Sequence, residues 1–96
     1  MIIFLKKSGR KDKKWMVVID NKTVHFGQQG ASDYTINKDP QRKRLYINRH
    51  RSNENWKKTG ILTAGFWSRW LLWNETTISK SILSIEKKFN VNIKRT

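Results

Sequence analysis

Asp39-Pro40-Gln41-Arg42-Lys43-Arg44-Leu45-Tyr46-Ile47-Asn48-Arg49-His50-Arg51 reads as a single basic helix, and it divides the chain into a strand-like half and a helical half. Asp39 is suited to the N-cap, because a carboxylate there accepts from an unpaired N–H of the first turn. Pro40 follows at the first helical position, where a missing N–H costs nothing and the fixed φ helps. It is the only proline in the chain. Leu45, Tyr46 and Ile47 are the only apolar residues of the stretch. A helix with so many cations and so little apolar surface needs a polyanion or abundant water beside it.

On the N-terminal side the pattern is that of strands. Met1–Lys6 is apolar and β-branched, Trp15–Asp20 is a second such run, and Thr23–Phe26 alternates, with Val24 and Phe26 on one side and Thr23 and His25 on the other. Strands this close together predict an antiparallel meander. The Lys7–Lys14 turn then projects as a cationic tip, and Asp20-Asn21-Lys22 closes the second hairpin. Gly27–Lys38 is polar and glycine-rich, a loop with Tyr34 and Ile36 as its anchors in the core.

On the C-terminal side, Ser52–Lys58 can form a further turn with Trp56 on its inner side, broken at Gly60. Thr63–Trp73 reads as a buried helix, apolar almost all round: Phe66, Trp70 and Trp73 fall at i, i+4, i+7, with Trp67 and Leu71 beside them. Thr76–Phe89 is amphipathic, with Ile78, Ile82, Ile85 and Phe89 on one face. Val91–Ile93 adds a last short strand before a frayed basic end at Lys94 and Arg95. The expected fold is a single α+β domain over residues 1–96, a small antiparallel N-terminal β-meander packed against about three C-terminal helices. Five tryptophans supply much of its core.

Charge bounds the function. The chain has 96 residues with 21 Lys+Arg against 7 Asp+Glu, a net charge of +14. Self-repulsion of that size in a small body is unfavourable unless a partner neutralises it. Nucleic acid is the commonest such partner, since each cation on a phosphate releases a counterion; an anionic membrane surface comes second. There is no cysteine, so disulfides and thiolate metal sites are excluded. The run Thr59–Ser68 is too short to span a bilayer and Met1–Leu5 too short for a signal-peptide core, so the expectation is a soluble intracellular protein without membrane contact.

Two clusters are the candidate phosphate contacts. One is Lys38, Arg42, Lys43, Arg44, Arg49 and Arg51, with Lys57 and Lys58 beyond it; the other is Lys6, Lys7, Arg10, Lys11, Lys13 and Lys14 of the hairpin. On one face they make a continuous track; on opposite faces they bridge two duplexes. Phosphate contacts position a protein and carry no sequence information, and no base-reading set stands at recognition-helix spacing. Trp56, between Asn55 and Lys57, is a candidate base-stacking contact. A metal-dependent nuclease centred on His25, Asp33 and His50 is the alternative. Against it stand the absence of HxxxH, of paired carboxylates at helical spacing, of GxSxG and of a P-loop. A third option is an adaptor for an acidic protein. No cofactor, metal, catalytic residue or small-molecule substrate is expected.

The residues Val24-His25-Phe26-Gly27, Asp33-Tyr34-Thr35, Lys38-Asp39, Arg42-Lys43, Tyr46, Arg49-His50, Trp56 and Thr63-Ala64-Gly65-Phe66-Trp67-Ser68-Arg69-Trp70-Leu71-Leu72-Trp73-Asn74 occur in an order that resembles a family of small basic proteins of large and giant DNA viruses, mimivirus-like and chlorella-virus-like. The resemblance runs from Val24 to Phe89. It implies a large double-stranded genome to be packed, and so a non-sequence-specific architectural protein that condenses DNA in the virion nucleoid and viral factory. Self-association through an exposed part of the Trp-rich segment would amplify that condensation.

Overall fold

The computed structural model describes all residues, Met1–Thr96. Strands β1 (Ile2–Lys7), β2 (Lys13–Ile19) and β3 (Lys22–Gln28) pair antiparallel in succession. Asp20, in the left-handed region at φ 53°, makes the sharp turn between β2 and β3. Two short segments follow, α1 (Tyr34–Asn37) and α2 (Pro40–His50), then a 3₁₀ turn at Lys58–Gly60. Helix α3 (Ala64–Trp67) continues without a break into a π turn, Ser68–Leu72. Helix α4 (Ile78–Phe89) leads to β4 (Asn92–Arg95), which returns beside β1 and parallel to it. The sheet is therefore mixed, in the order β3-β2-β1-β4, and the fold is α+β.

Alternation decides which face of the sheet is covered. Ile3 and Leu5, Val17 and Ile19, Val24 and Phe26, and Ile93 are buried on one side against Phe66, Trp67, Leu71, Leu72, Ile82, Ile85 and Phe89. On the other side Ile2, Phe4 and Lys6 stay exposed. Thr77 caps α4 by accepting from Lys80 N at 3.1 Å, and the Glu86 carboxylate accepts from Ile93 N at 2.9 Å, which ties β4 to the helix before it.

Four expectations need correction. The sheet is not a pure meander, because the helical half carries the chain back to the end of the sheet where β1 began, so β4 must run parallel to β1. Lys94 and Arg95 are not a frayed end but part of β4: Thr96 N donates to Leu5 O at 2.9 Å, and the Arg95 guanidinium lies 5.8 Å from the Trp15 ring centroid. Ile36 is not a core anchor, being 60% exposed on α1, a helical turn inside the expected loop that Asp33 caps. Gly60 does not break a helix; it closes the 3₁₀ turn, buried against the Asn55 backbone, where a Cβ would fall 2.0 Å from the carbonyl oxygen.

The π turn revises the reading of the Trp-rich segment. Its Trp73 N donates to Ser68 O at 3.0 Å, a bond of i→i+5 type. Five-residue spacing puts Phe66 with Leu71 and Trp67 with Leu72, and these four are the fully buried residues of the segment. Trp70 and Trp73, which α-helical spacing groups with Phe66, are left half-buried.

Gly60→Ala forces the Asn55 carbonyl aside, so it should cost about 1–3 kcal/mol, the range for overpacking. Gly9→Ala, with no atom within 4 Å of the added carbon, should be close to neutral. Denaturant melts of the two variants test the contrast; equal midpoints would contradict the close approach at Gly60.

Candidate nucleic-acid interface

Helix α2 begins as its residue types dictate. The Asp39 carboxylate accepts from Gln41 N at 2.9 Å and Arg42 N at 3.4 Å, and Pro40 occupies the first turn. The helix buries no residue fully. Its inward stripe is Lys43, Tyr46, Ile47 and His50, spaced i, i+3, i+4, i+7 and all half-buried. Tyr46 carries the docking. Its ring stacks on Trp73 at 4.7 Å with 5° between planes, and lies 4.5 Å from His50 and 6.4 Å from Trp56.

Lys43, one of the candidate phosphate contacts, faces inward. Its ammonium donates to Asn74 O at 2.6 Å and sits 4.9 Å from the Tyr34 ring centroid. Arg69, which the sequence reading missed, donates to Trp73 O at 2.8 Å and lies over the Trp70 ring at 4.3 Å. Both cations thus converge on the negative end of the Trp-rich helix. Burial pushes the pKa of each down, and the Arg69 charge lowers that of Lys43 further. Burial also raises the Tyr46 hydroxyl to about 12, helped by the Glu54 charge.

Lys14 is inward too. It pairs with Asp33 at 2.9 Å and also donates to Ala31 O. Asp33, 2% exposed, accepts from Thr35 N at 2.9 Å as the cap of α1. Arg10 pairs with Asp12 at 2.9 Å on the exposed hairpin tip, and its hydrogen bond holds the Asp12 carboxyl below the usual range. These are the only two ion pairs among 21 lysines and arginines.

The remaining candidates are open to solvent. Lys6 lies on the uncovered face of the sheet, Lys7 and Lys11 flank the tip, and Lys38, Arg42, Arg44, Arg49, Arg51, Lys57 and Lys58 are exposed. Lys38 is the left-handed cap of α1, and its ammonium reaches Thr35 O at 3.0 Å. Arg42 and Arg49 share the flank of α2 that borders a depression of about 210 Å³ with Leu45 and Trp73. Arg44, two residues from Arg42, points to the other flank. Lys13 and Arg49 line one larger cleft of about 510 Å³, so the start of β2, beside the hairpin tip, and the end of α2 meet on one side of the molecule.

The other sequence candidates separate. His25 Nδ1 and Ser8 Oγ are 2.7 Å apart on the hairpin, whereas Asp33 and His50 line the large cleft. No group of three His, Asp or Glu residues is placed to hold a metal ion. Trp56 is half-buried rather than free: its carbonyl accepts from Trp70 Nε1 at 2.9 Å, Arg69 lies 5.5 Å from its ring centroid, and its own ring N–H is buried without an acceptor. Glu54, Gly65 and Ser68 of the cleft were not singled out in the sequence. The one available signal was that Glu54 is the only acid between Asp39 and Glu75. No helix is long and apolar enough to cross a membrane.

Comparison with known proteins gives one match. Residues 3–50, from β1 to the end of α2, match the model of a family of unknown function, DUF5754. No curated protein and no solved structure matches the chain.

The raised Tyr46 pKa has a consequence at alkaline pH. The unfolded chain releases this proton near pH 10 and the folded chain near 12, so the hydroxyl's contribution to stability is complete below pH 10 and is lost as pH rises towards 12. Thermal melts between pH 9 and pH 11.5 should therefore fall more steeply for the natural chain than for Tyr46→Phe, which keeps the ring. Parallel curves would refute the shift.

Proposed function

The chain belongs to DUF5754, a family of unknown function, and we propose that it binds double-stranded DNA through the phosphate backbone, without base preference, and helps to condense a genome. One observation carries the reading: of 21 lysines and arginines only two are ion-paired, and most of the rest stand exposed on one small body. Four of its seven acids are committed locally, Asp39 and Asp33 to helix caps, Asp12 to Arg10 and Glu86 to the β4 backbone, and seven carboxylates are too few to neutralise that array. A fixed set of cations of this kind matches a polyanion by counterion release.

The contacts assigned to phosphate are Lys6, Lys7, Lys11, Lys13, Lys38, Arg42, Arg44, Arg49, Arg51, Lys57 and Lys58. Lys14 and Lys43 hold the fold, and Arg10 is taken up by its pair with Asp12. The meeting of hairpin and α2 at one cleft favours a continuous track over a bridge between opposite faces. The resemblance to proteins of large DNA viruses supports a viral genome as the cargo, and with it the virion nucleoid and viral factory as the place of action. Trp67 is fully buried and Trp70 and Trp73 are half-covered, so self-association through the Trp-rich segment draws little support from the packing.

Fluorescence anisotropy with labelled duplexes at several salt concentrations tests the proposal. Affinity should fall steeply with salt, scrambled duplexes should bind alike, and Arg42→Glu with Arg44→Glu should reduce the log–log salt slope by about 2. His25→Ala should bind as the natural chain does. Binding no tighter than that of an unrelated protein of equal charge would end the proposal.

A further inference from the structure

The phosphate track leaves the interior of the large cleft unexplained. Glu54 is its anomaly. Each of the other buried or half-buried acids has a partner: Asp33 pairs with Lys14, Asp39 caps α2, and Glu86 accepts from Ile93 N. Glu54 is half-buried, takes part in neither ion pair, and accepts none of the side-chain hydrogen bonds of the fold. Its position is nonetheless set by shape. The carboxylate lies against the Gly65 Cα, so closely that a Cβ there would fall 1.7 Å from Oε2.

Around this free acceptor the cleft gathers groups of opposite kind. Lys13, Arg49 and His50 line it, and neither Lys13 nor Arg49 is ion-paired. Half-buried Trp73 gives it an accessible apolar edge, while Phe26 and Leu72 are closed off in the core. A bare anion would be repelled by Glu54 and a bare cation by Lys13 and Arg49. The complementary ligand carries an anionic group, a flat apolar body and an N–H donor edge, and these three together describe a nucleotide. The volume of about 510 Å³ lies within the usual range for a small-ligand site.

We infer that the cleft binds one nucleotide, its phosphate towards Lys13, Arg49 and His50, its base against the edge of Trp73, and its amino-bearing edge on Glu54. The carboxylate then favours guanine, adenine and cytosine, which present an exocyclic amine, over uracil and thymine, which do not. This rests on the phosphate-binding reading, because the rim cations are shared with the track. A paired base inside a duplex cannot enter, so the nucleotide is either free or an unpaired one at a strand end.

Intrinsic tryptophan fluorescence of the full chain reports occupancy, since Trp73 lines the cleft. Titration with guanosine 5′-monophosphate should saturate, at least about tenfold tighter than uridine 5′-monophosphate, guanosine or inorganic phosphate. Glu54→Gln should weaken guanosine 5′-monophosphate about tenfold while flush-ended duplex binds the same or more tightly, since an acid has been removed. Gly65→Ala keeps every charge, displaces the Glu54 carboxylate, and should reproduce the nucleotide loss. Tighter binding of a duplex with an unpaired 5′-phosphorylated guanosine overhang than of its flush-ended form identifies the strand end as the source; equal binding identifies the free nucleotide. The inference is overturned if guanosine 5′-monophosphate binds no better than phosphate, or if Glu54→Gln leaves its affinity unchanged. Duplex binding without nucleotide binding sinks this inference alone; nucleotide binding without duplex binding sinks the track alone.

Discussion

The stack of Tyr46 on Trp73 is the contact that lets a helix with almost no apolar surface join a folded body. Helix α2 has no fully buried residue, so aliphatic packing cannot hold it. An offset aromatic pair adds about 0.5–1.5 kcal/mol beyond the area it covers. Lys43 and Arg69 extend the dock by closing on Asn74 O and Trp73 O, the carbonyls at the end of the Trp-rich helix. Both lose hydration on burial, which is the main reason their pKa values fall; the Arg69 charge lowers Lys43 further, and Arg51 does the same to Arg69. The carbonyls and the faces of Tyr34 and Trp70 offset that loss. With the inward stripe of α2 occupied in this way, Arg42, Arg44 and Arg49 are left facing water.

The π turn places Trp73 where Tyr46 can reach it. An α-helix continued through Ser68–Leu72 would advance 100° per residue and bring Trp70 and Trp73 onto the stripe of Phe66. The wider turn instead turns Leu71 and Leu72 into the core beside Phe66 and Trp67, and leaves Trp70 and Trp73 at the edge. There Trp70 packs on Phe89 of α4 at 5.4 Å and Trp73 receives α2. One local change of hydrogen-bond pattern thus separates the core tryptophan, Trp67, from Trp70 and Trp73 at the edge.

Much of the fold was legible because it rests on local chemistry. Asp39-Pro40 marks the start of α2, the stripe Ile78, Ile82, Ile85, Phe89 marks α4, the apolar run from Trp15 marks β2, and alternation marks β3. The rest depends on long-range geometry. The parallel pairing of β4 follows from where the helices bring the chain, and the π turn follows from tertiary packing that overrides the α-helical period. The cationic surface was legible from composition, but not which cations face inward. Lys14 and Lys43 differ from their neighbours only in finding Asp33 and Asn74 O across the fold, 19 and 31 residues away. Glu54 was illegible for the same reason: its meaning comes from Gly65, Arg49 and His50 around it, not from its own stretch.

The distribution of acids is what makes the charge excess consequential. Seven carboxylates are too few to neutralise 21 cations, and the folded chain uses four of them as local fasteners instead. Asp33 and Asp39 hold helix starts, Asp12 steadies the hairpin tip, and Glu86 anchors β4. The unpaired cations therefore repel one another over a Debye length of about 8 Å at physiological salt, a distance smaller than the molecule's extents of 35 × 29 × 25 Å. Repulsion is then strongest within each patch, between Arg42 and Arg49 on one flank of α2 and along the hairpin, rather than across the whole body. A polyanion laid along such a patch would relieve the strain where it is concentrated, so the proposed binding is linked to folding. Whatever neutralises α2 also stabilises its dock on the Trp-rich helix, by an amount that grows with the logarithm of ligand concentration over its dissociation constant.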